Sequence, residues 1–198
     1  MLSVLGIAAA YVAWHLNRGW VPLDEGSLAH AAQRVLLGEL PQRDFDDVYT
    51  GGLAYLNAAT FRLLGTTLWS MRLALFAAFL LWVPAVFYVA SRFTRPLMAA
   101  GITLLAVAWS VPNYPAPMPS WYNLFFATAG VAALLRYLED ARARWLVAAG
   151  VAGGLSFLVK VIGLYYVAGV LLFLVYLAHE RARAAAGAAP QKGRGYAA

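Results

Sequence analysis

The stretch LALFAAFLLWVPAVFYVA, residues Leu73–Ala90, contains no charged side chain. At 1.5 Å per residue a helix of this length measures about 27 Å, close to the ~30 Å hydrocarbon core of a bilayer. Pro84 lies inside the stretch, and membrane helices tolerate a proline as a kink. The stretch therefore predicts a transmembrane helix.

Five more apolar runs surround this one. They are Leu2–Leu16, Pro96–Pro112, Trp121–Leu135, Trp145–Val159 and Val161–Ala178. Hydrophobic residues make up 63% of the 198-residue chain and charged residues only 12%, against about 25% charged in soluble domains. We therefore predict an all-α polytopic membrane protein with about six transmembrane helices.

The last two runs could form one helix or two. A single helix over Trp145–Ala178 would be about 50 Å long, which exceeds the bilayer core. Lys160 interrupts the apolar sequence, and Gly153, Gly154 and Gly163 offer places to turn. We therefore predict two spans with an outer turn between them.

The basic residues predict the orientation of the spans. With six spans, one side of the membrane receives Arg92, Arg95, Arg136, Arg142, Arg144, Arg181, Arg183, Lys192 and Arg194. The other side receives Arg18, Arg34, Arg43, Arg62 and Lys160, with Arg72 near its edge. The positive-inside rule makes the first side cytoplasmic, so both termini are predicted there, in a multi-pass protein of the inner (plasma) membrane.

The net charge of +6 is explained by this loop asymmetry, so we predict no nucleic-acid partner. The chain has no cysteine, which excludes disulfides and thiolate metal sites. Residues 1–178 form the predicted transmembrane region. Residues 179–198 are rich in Ala, Gly and Arg, lack an apolar face, and are predicted to be a disordered cytoplasmic tail.

The first outer loop, residues 17–65, is too long for a plain connection. Two stretches in it have apolar residues at helical spacing. The first stretch contains Leu28, Ala32, Val35 and Leu36, and the second contains Leu53, Leu56, Leu63 and Leu64. We predict two amphipathic helices that lie in the membrane interface, the first beginning near Ser27 and the second ending at Gly65.

Most of the carboxylates of the chain fall in this same loop. Six of the nine acidic residues are there, namely Asp24, Glu25, Glu39, Asp44, Asp46 and Asp47. Asp24 and Glu25 precede the first amphipathic helix, where they could favour its N-terminus or act chemically as a shielded base. The residue types and spacing leave both interpretations open, and the two are compatible.

Asp44, Asp46 and Asp47 lie in the polar connector between the two helices. They could orient an acceptor or bind a divalent metal, but their spacing fits no strong metal motif, so no cofactor is assigned. A solvated turn, with an ion pair of Asp44 to Arg43 or of one of these aspartates to Arg62, is favoured over both. The second outer loop, residues 110–123, is rich in Pro, Trp and Tyr, and we interpret it as an aromatic belt rather than a sugar-stacking surface.

Lys160 and Arg72 are cations at the predicted outer ends of apolar runs. A cation at this depth either binds an anion, such as a lipid phosphate, or extends toward the headgroups, and the sequence leaves both open for each residue.

The first loop resembles the GT-C membrane glycosyltransferases, in particular glycosyltransferase family 39 with the protein O-mannosyltransferases and aminoarabinose transferases. The resemblance extends over nearly the whole chain to Ala178 and is most specific in this loop. It is carried by Asp24-Glu25-Gly26, Arg34 to Pro41, Arg43-Asp44-Phe45, Tyr49, Gly52, Tyr55-Leu56, Phe61, Leu64-Gly65, Arg72-Leu73 and Gly154 to Lys160.

The resemblance implies a bacterial cell-envelope enzyme that takes a sugar from a polyprenyl-phosphate donor and gives it to an acceptor on the outer face. The acceptor could be a glycan, a lipid or a protein. By the resemblance Asp24 is the catalytic base or the residue that orients the acceptor, with Glu25 supporting it. The resemblance also implies substrate binding by Asp44, Tyr49, Arg72 and Lys160, with Lys160 or Arg72 facing the phosphate.

Two departures bear on this assignment. Thr50-Gly51-Gly52 stands where the family often has a proline-containing turn. Family members are also much longer, so we expect this chain to be an N-terminal portion and do not assign catalysis to it alone. The alternative is a non-catalytic membrane protein or subunit that binds lipid phosphate. A small transporter is disfavoured because the spans hold almost no polar residues.

Overall fold

The computed structural model describes residues 1–188, and the last part of the predicted tail lies outside these residues. Every regular element in the described part is a helix. The α-helices are α1 (Leu2–His15), α2 (Pro22–Leu36), α3 (Gly52–Leu64), α4 (Leu68–Ser91), α5 (Pro96–Ala108), α6 (Pro119–Asp140), α7 (Ala143–Val159) and α8 (Gly163–Ala188), with a short 3₁₀ helix at Val111–Asn113. The all-α prediction is therefore confirmed.

Each of the six predicted apolar runs forms a helix, and the predicted break between the last two is present between α7 and α8. Three helical segments are long and apolar enough to cross a bilayer, namely Leu68–Ser91, Pro96–Asn113 and Gly163–Ala185. Helices α1 and α7 are apolar but shorter. The protein is therefore membrane-associated, while the number of six spans stays a prediction.

Helix boundaries differ from the predicted runs where charge did not stop the helix. Helix α6 continues past Leu135 to Asp140, and α4 begins at Leu68, so it includes Arg72. Helix α8 runs through His179 to Ala188, ten residues into the segment predicted as a tail. Arginine and alanine are strong helix formers, so an existing helix can extend through such a sequence.

Contacts between loops show that the helices run back and forth between two ends of a bundle. At one end, Arg72 at the start of α4 donates hydrogen bonds to the carbonyls of Leu16 and Gly19, just after α1. At the other end, the side chains of Tyr88 and Arg92 reach Glu139 near the end of α6. At the first end, Tyr114 before α6 also reaches Asp24, and Lys160 after α7 reaches Ser120. The loops predicted to be outer therefore share one end, and the turns after α4 and α6 share the other.

The centre of the bundle is the contact between α4 and α6. Phe79 of α4 is fully buried and packs edge-on against Phe125 of α6, which also contacts Trp82 at a ring-centroid distance of 5.1 Å. Such aromatic pairs add about 0.5–1.5 kcal/mol beyond the burial of their area. This contact holds α4 and α6 at a fixed spacing.

The two amphipathic helices of the first loop are α2 and α3, and α3 ends at Gly65 as predicted. The start predicted for the first helix was wrong. Helix α2 begins at Pro22, five residues before Ser27, because proline fits the first turn of a helix. Asp24 and Glu25 therefore lie inside its first turn, where their charge favours the helix N-terminus.

Helices α2 and α3 pack against each other and against α4. Their apolar stripes are used in this packing, since Leu28, Ala32, Leu53 and Phe61 belong to the buried core. Several other apolar side chains on the same helices remain exposed, among them Leu23 and Leu63. The placement of α2 and α3 in a membrane interface stays a prediction.

Candidate functional site

Three segments that are far apart in the sequence meet at the end of the bundle that holds the first loop. They are the connector between α2 and α3, the loop before α6, and the turn between α7 and α8. Thr50 of the connector donates its hydroxyl toward the carbonyls of Phe157 and Leu158, at 3.0 and 2.5 Å, near the end of α7. The connector therefore sits against the C-terminus of α7.

Two glycines allow this close approach. Gly51 has a φ of +87°, a left-handed conformation that favours glycine. A Cβ on Gly52 would lie 2.4 Å from the carbonyl oxygen of Leu158, so a larger residue would push α3 away from α7. The Thr50-Gly51-Gly52 turn thus fits this contact through its small size.

A cleft of about 560 Å³ opens between the connector and the turn from α7 to α8. Its walls are mostly apolar, with Lys160 as the cation and Asp47 as the carboxylate among them. The lining residues are Gln42, Asp47, Val48, Tyr49, Thr50, Phe157, Leu158, Lys160, Val161 and Ile162. A cleft with an apolar wall and a few polar groups suits an amphiphilic ligand.

Lys160 caps the C-terminus of α7, where the helix dipole favours a positive charge. Its Nζ donates a hydrogen bond of 2.8 Å to Ser120 Oγ at the start of α6 and lies 5.8 Å from the ring centroid of Tyr49. A lysine ammonium carries three N–H donors. Within residues 1–188, Ser120 is the one acceptor it reaches, so two donors remain for a ligand.

Tyr49 lines the cleft beside Lys160. Partial burial raises the pKa of its phenol, and the negative charges of Asp24 and Asp47 raise it further. A neutral phenol can both donate and accept hydrogen bonds. Tyr49 therefore faces the cleft as a neutral group near two carboxylates.

Asp24 is half-buried, and its Oδ2 accepts a hydrogen bond from the hydroxyl of Tyr114, from the loop before α6. This hydrogen bond is the main cause that raises the pKa of Tyr114, followed by burial and by the charge of Asp24. In the described part of the chain Oδ1 of Asp24 accepts no hydrogen bond. Oδ2 is thus held in place, and Oδ1 can accept a hydrogen bond from a hydroxyl group or take up its proton.

Glu25 forms a buried ion pair with Arg72, with Nε–Oε1 and Nη2–Oε2 distances of 2.6 and 2.8 Å. Glu25 is fully buried and Arg72 is 4% exposed. The guanidinium also donates to the carbonyls of Leu16 and Gly19, which leaves it one free N–H. The pair joins α2, α4 and the end of α1.

Asp44 belongs to the turn rather than to the cleft lining. Hydrogen bonds from Arg43 and from the backbone N–H of Leu40 lower the pKa of Asp44 to about 2. Of the two ion pairs considered from the sequence, Asp44–Arg43 is present at 2.7 Å. Asp44 therefore shapes the connector that carries Asp47 and Tyr49.

The structure brings Asp24, Tyr49 and Lys160 to one end of the bundle, and it pairs Glu25 with Arg72 beside them. Sequence reasoning missed Ser120 and Tyr114. Tyr114 was part of the segment interpreted as an aromatic belt, and no spacing in the sequence connects it with Asp24. Among the described residues, no three His, Asp or Glu side chains come together as a metal site.

Comparison with known proteins gives one match. The family model described as dolichyl-phosphate-mannose-protein mannosyltransferase matches residues 52–187, more than half of the chain. Lys160, Ser120, Tyr114 and Arg72 lie within the match, whereas Asp24, Glu25 and the connector precede it. No curated protein and no solved structure matches the chain significantly.

Proposed function

Because the chain belongs to the dolichyl-phosphate-mannose-protein mannosyltransferase family of GT-C membrane glycosyltransferases, we propose that it transfers a sugar from a polyprenyl-phosphate donor to an acceptor on the outer face of a bacterial inner membrane. The single observation that carries the proposal is the cleft at Lys160. In this cleft an apolar wall lies beside the ammonium of Lys160, which has two N–H groups free to donate hydrogen bonds. These are the features that a lipid-linked phosphate requires.

Lys160 is the residue we assign to the donor phosphate. When the bond between the sugar C1 and the phosphate oxygen breaks, the electron pair leaves with the phosphate, whose negative charge rises. An ammonium that is already in place stabilises that charge without reorganisation. Ser120 acts as a positioning residue because its hydroxyl holds the ammonium.

Asp24 is the residue we assign as catalytic base. Its Oδ1 takes the proton of the acceptor hydroxyl while the acceptor oxygen forms the new bond to the sugar C1. Tyr114 fixes the carboxylate through Oδ2. Charge then balances, because the proton ends on Asp24 and the electron pair of the broken bond ends on the lipid phosphate.

The other predicted site residues have positioning roles in this proposal. The buried Glu25–Arg72 pair fixes the first turn of α2, which carries Asp24. Asp44 fixes the turn that carries Tyr49, and Tyr49 lines the cleft between Lys160 and Asp24. A supporting shell of this kind is what keeps a catalytic group within reach of its substrate.

We also propose that all six apolar helices cross the bilayer, with both termini cytoplasmic. The back-and-forth course of α1 and α4 to α8 supports this placement, since it puts Arg72, Tyr114 and Lys160 at one end. Five arginines of the two opposite turns lie at the other end, as the positive-inside rule requires.

The test uses the whole protein in its native membranes with a labelled polyprenyl-phosphate sugar. Replacing Asp24 by Asn should abolish transfer but leave donor binding intact, because the cation of the cleft is unchanged. Asp46→Asn, the same change at an exposed carboxylate on the connector between α2 and α3, is the matched control. Unchanged turnover in Asp24→Asn would contradict the assignment of the base. Binding of donor without transfer by the unaltered protein would favour the non-catalytic alternative.

A further inference from the structure

The opposite end of the bundle contains a groove that the proposed activity does not use. Helix α6 forms its floor, while α4 and α7 form its walls, and its volume is about 380 Å³. Alanines line most of it: Ala129, Ala132 and Ala133 on α6, Ala85 on α4, and Ala148 and Ala152 on α7. Because these side chains are small, the three helices leave open space between them.

Aromatic and cationic side chains stand at the mouth of the groove. Tyr88, Arg136 and Trp145 line it there, and the Arg136 guanidinium lies 4.5 Å from the ring centroid of Tyr88. The Arg136 side chain is 50% exposed, and its contact with Glu139 is long, at 3.3 Å. Arg136 therefore remains accessible to a ligand at the mouth of the groove.

The charge around the mouth is strongly positive. The two turns at this end, residues 92–95 and 136–145, carry five arginines and two carboxylates, an excess of three positive charges. Glu139 and Asp140 are each shared between arginines, at distances of 2.9 to 4.0 Å. The excess of positive charge therefore remains available to an anionic ligand.

The apolar part of the groove continues along α6. A second cavity of about 150 Å³ shares Ala129 with the first and extends between α4 and α6 to Trp82 and Tyr122. From Arg136 to Tyr122 the rise along α6 is about 21 Å, more than half of a ~30 Å bilayer core. The buried hydroxyl of Tyr122 has no hydrogen-bond partner among the described residues.

We propose that this groove is a binding site for an anionic phospholipid of the membrane leaflet opposite the candidate active site. The phosphate contacts Arg136 at the mouth, and one acyl chain lies on the alanines of α6 toward Tyr122. The charge of the mouth selects an anionic headgroup, as basic pockets between membrane helices do. The inference uses the proposed membrane placement of α4, α6 and α7 but not the proposed chemistry.

The test measures lipid binding by the full chain in non-ionic detergent micelles, using phosphatidylglycerol and phosphatidylcholine with the same acyl chains. Native mass spectrometry counts the bound lipids. Phosphatidylglycerol should bind more tightly. Arg136→Gln should weaken phosphatidylglycerol binding about fivefold, since one interfacial cation is lost. It should weaken phosphatidylcholine binding by less, because the choline cation already offsets the charge of that phosphate. Ala132→Phe should weaken binding of both lipids, because the ring fills the floor of the groove.

Two control variants separate the groove from general effects. Arg181→Gln removes an exposed charge on α8, and Val131→Phe adds the same ring to an exposed position beside Ala132. Both should bind lipid as the unaltered protein does. Equal binding of the two lipids, or equal losses in the controls, would overturn the proposal. A change of oligomeric mass in Ala132→Phe without a change in lipid binding would also overturn it and assign the groove to a second copy of the chain.

Because this readout is independent of sugar transfer, an inactive protein that still discriminates between the lipids would leave the inference standing while the proposed function failed.

Discussion

Lys160 Nζ and Ser120 Oγ are joined by a hydrogen bond of 2.8 Å, although 40 residues separate them in the sequence. Ser120 lies in the first turn of α6, and Lys160 follows the last residue of α7. The hydrogen bond therefore connects two helix ends and fixes the ammonium beside the cleft. The position of this cation depends on the packing of α6 against α7.

Lys160→Gln should reduce sugar transfer about a hundredfold, because the growing charge on the phosphate loses its cation. Ser120→Ala should reduce transfer by less and mainly raise KM, since the ammonium stays but is held less firmly. Initial rates at several donor concentrations separate the two effects. Arg62→Gln, which removes an exposed cation of α3, is the control. Transfer that survives unchanged in Lys160→Gln would contradict the role of Lys160.

The Glu25–Arg72 pair gives a prediction about stability. Either Glu25→Leu or Arg72→Leu alone should destabilise the protein by about 3–5 kcal/mol, because the remaining charge is buried without a partner. The double variant should recover part of this loss. Thermal unfolding in detergent measures all three variants. The exposed Arg43–Asp44 pair is the comparison, and its removal should destabilise the protein far less, because water screens both charges.

The helices could be predicted from sequence because apolar run length is a local property. The runs around Leu73–Ala90 and before Gly65 were located correctly. The ends at Asp140 and Ala188 were not, since arginine and alanine continue a helix once packing has started it. The start of α2 was missed because Pro22 was not recognised as a first-turn residue.

The candidate site was predicted less completely than the helices. Asp24, Tyr49 and Lys160 were chosen by residue type and resemblance, and their convergence came only with the structure. Tyr114 and Ser120 depend on contacts over 90 and 40 residues, which no local pattern encodes. Arg72 and Glu25 were both singled out, but their pairing follows from the crossing of α2 and α4.

Gly52 should not tolerate a side chain. Gly52→Ala would place a Cβ 2.4 Å from the Leu158 carbonyl oxygen, so α3 must shift away from α7 and the cleft must change shape. We expect lower thermal stability and weaker donor binding. Gly150→Ala in α7 is the matched control, because a Cβ there meets no atom within 4 Å. That change should be neutral or stabilising by about 0.5–1 kcal/mol. Equal effects of Gly52→Ala and Gly150→Ala would contradict the close contact between Gly52 and Leu158.

The hydrogen bond from Tyr114 to Asp24 gives a prediction about pH. Because this bond raises the pKa of Tyr114, the phenol should stay neutral above pH 10, which is the ordinary pKa of a tyrosine phenol. Its contribution to stability is full below about pH 10 and is lost as the pH rises through the raised pKa. Asp24→Ala should return the titration toward 10. The difference in tyrosinate absorbance between each protein and its Tyr114→Phe counterpart measures the shift. An identical titration with and without Asp24 would contradict the contact.

The contact between Thr50 and Leu158 has a consequence for biosynthesis, because 108 residues separate its two ends. At about 5–20 residues per second, Thr50 is added to the growing chain roughly 5–20 s before its partner carbonyl exists. During that interval α2 and α3 can already pack on α4, but the connector has nothing to close against. The cleft can therefore form only after α7 has been delivered to the membrane, which makes it one of the last parts of the nascent protein to mature.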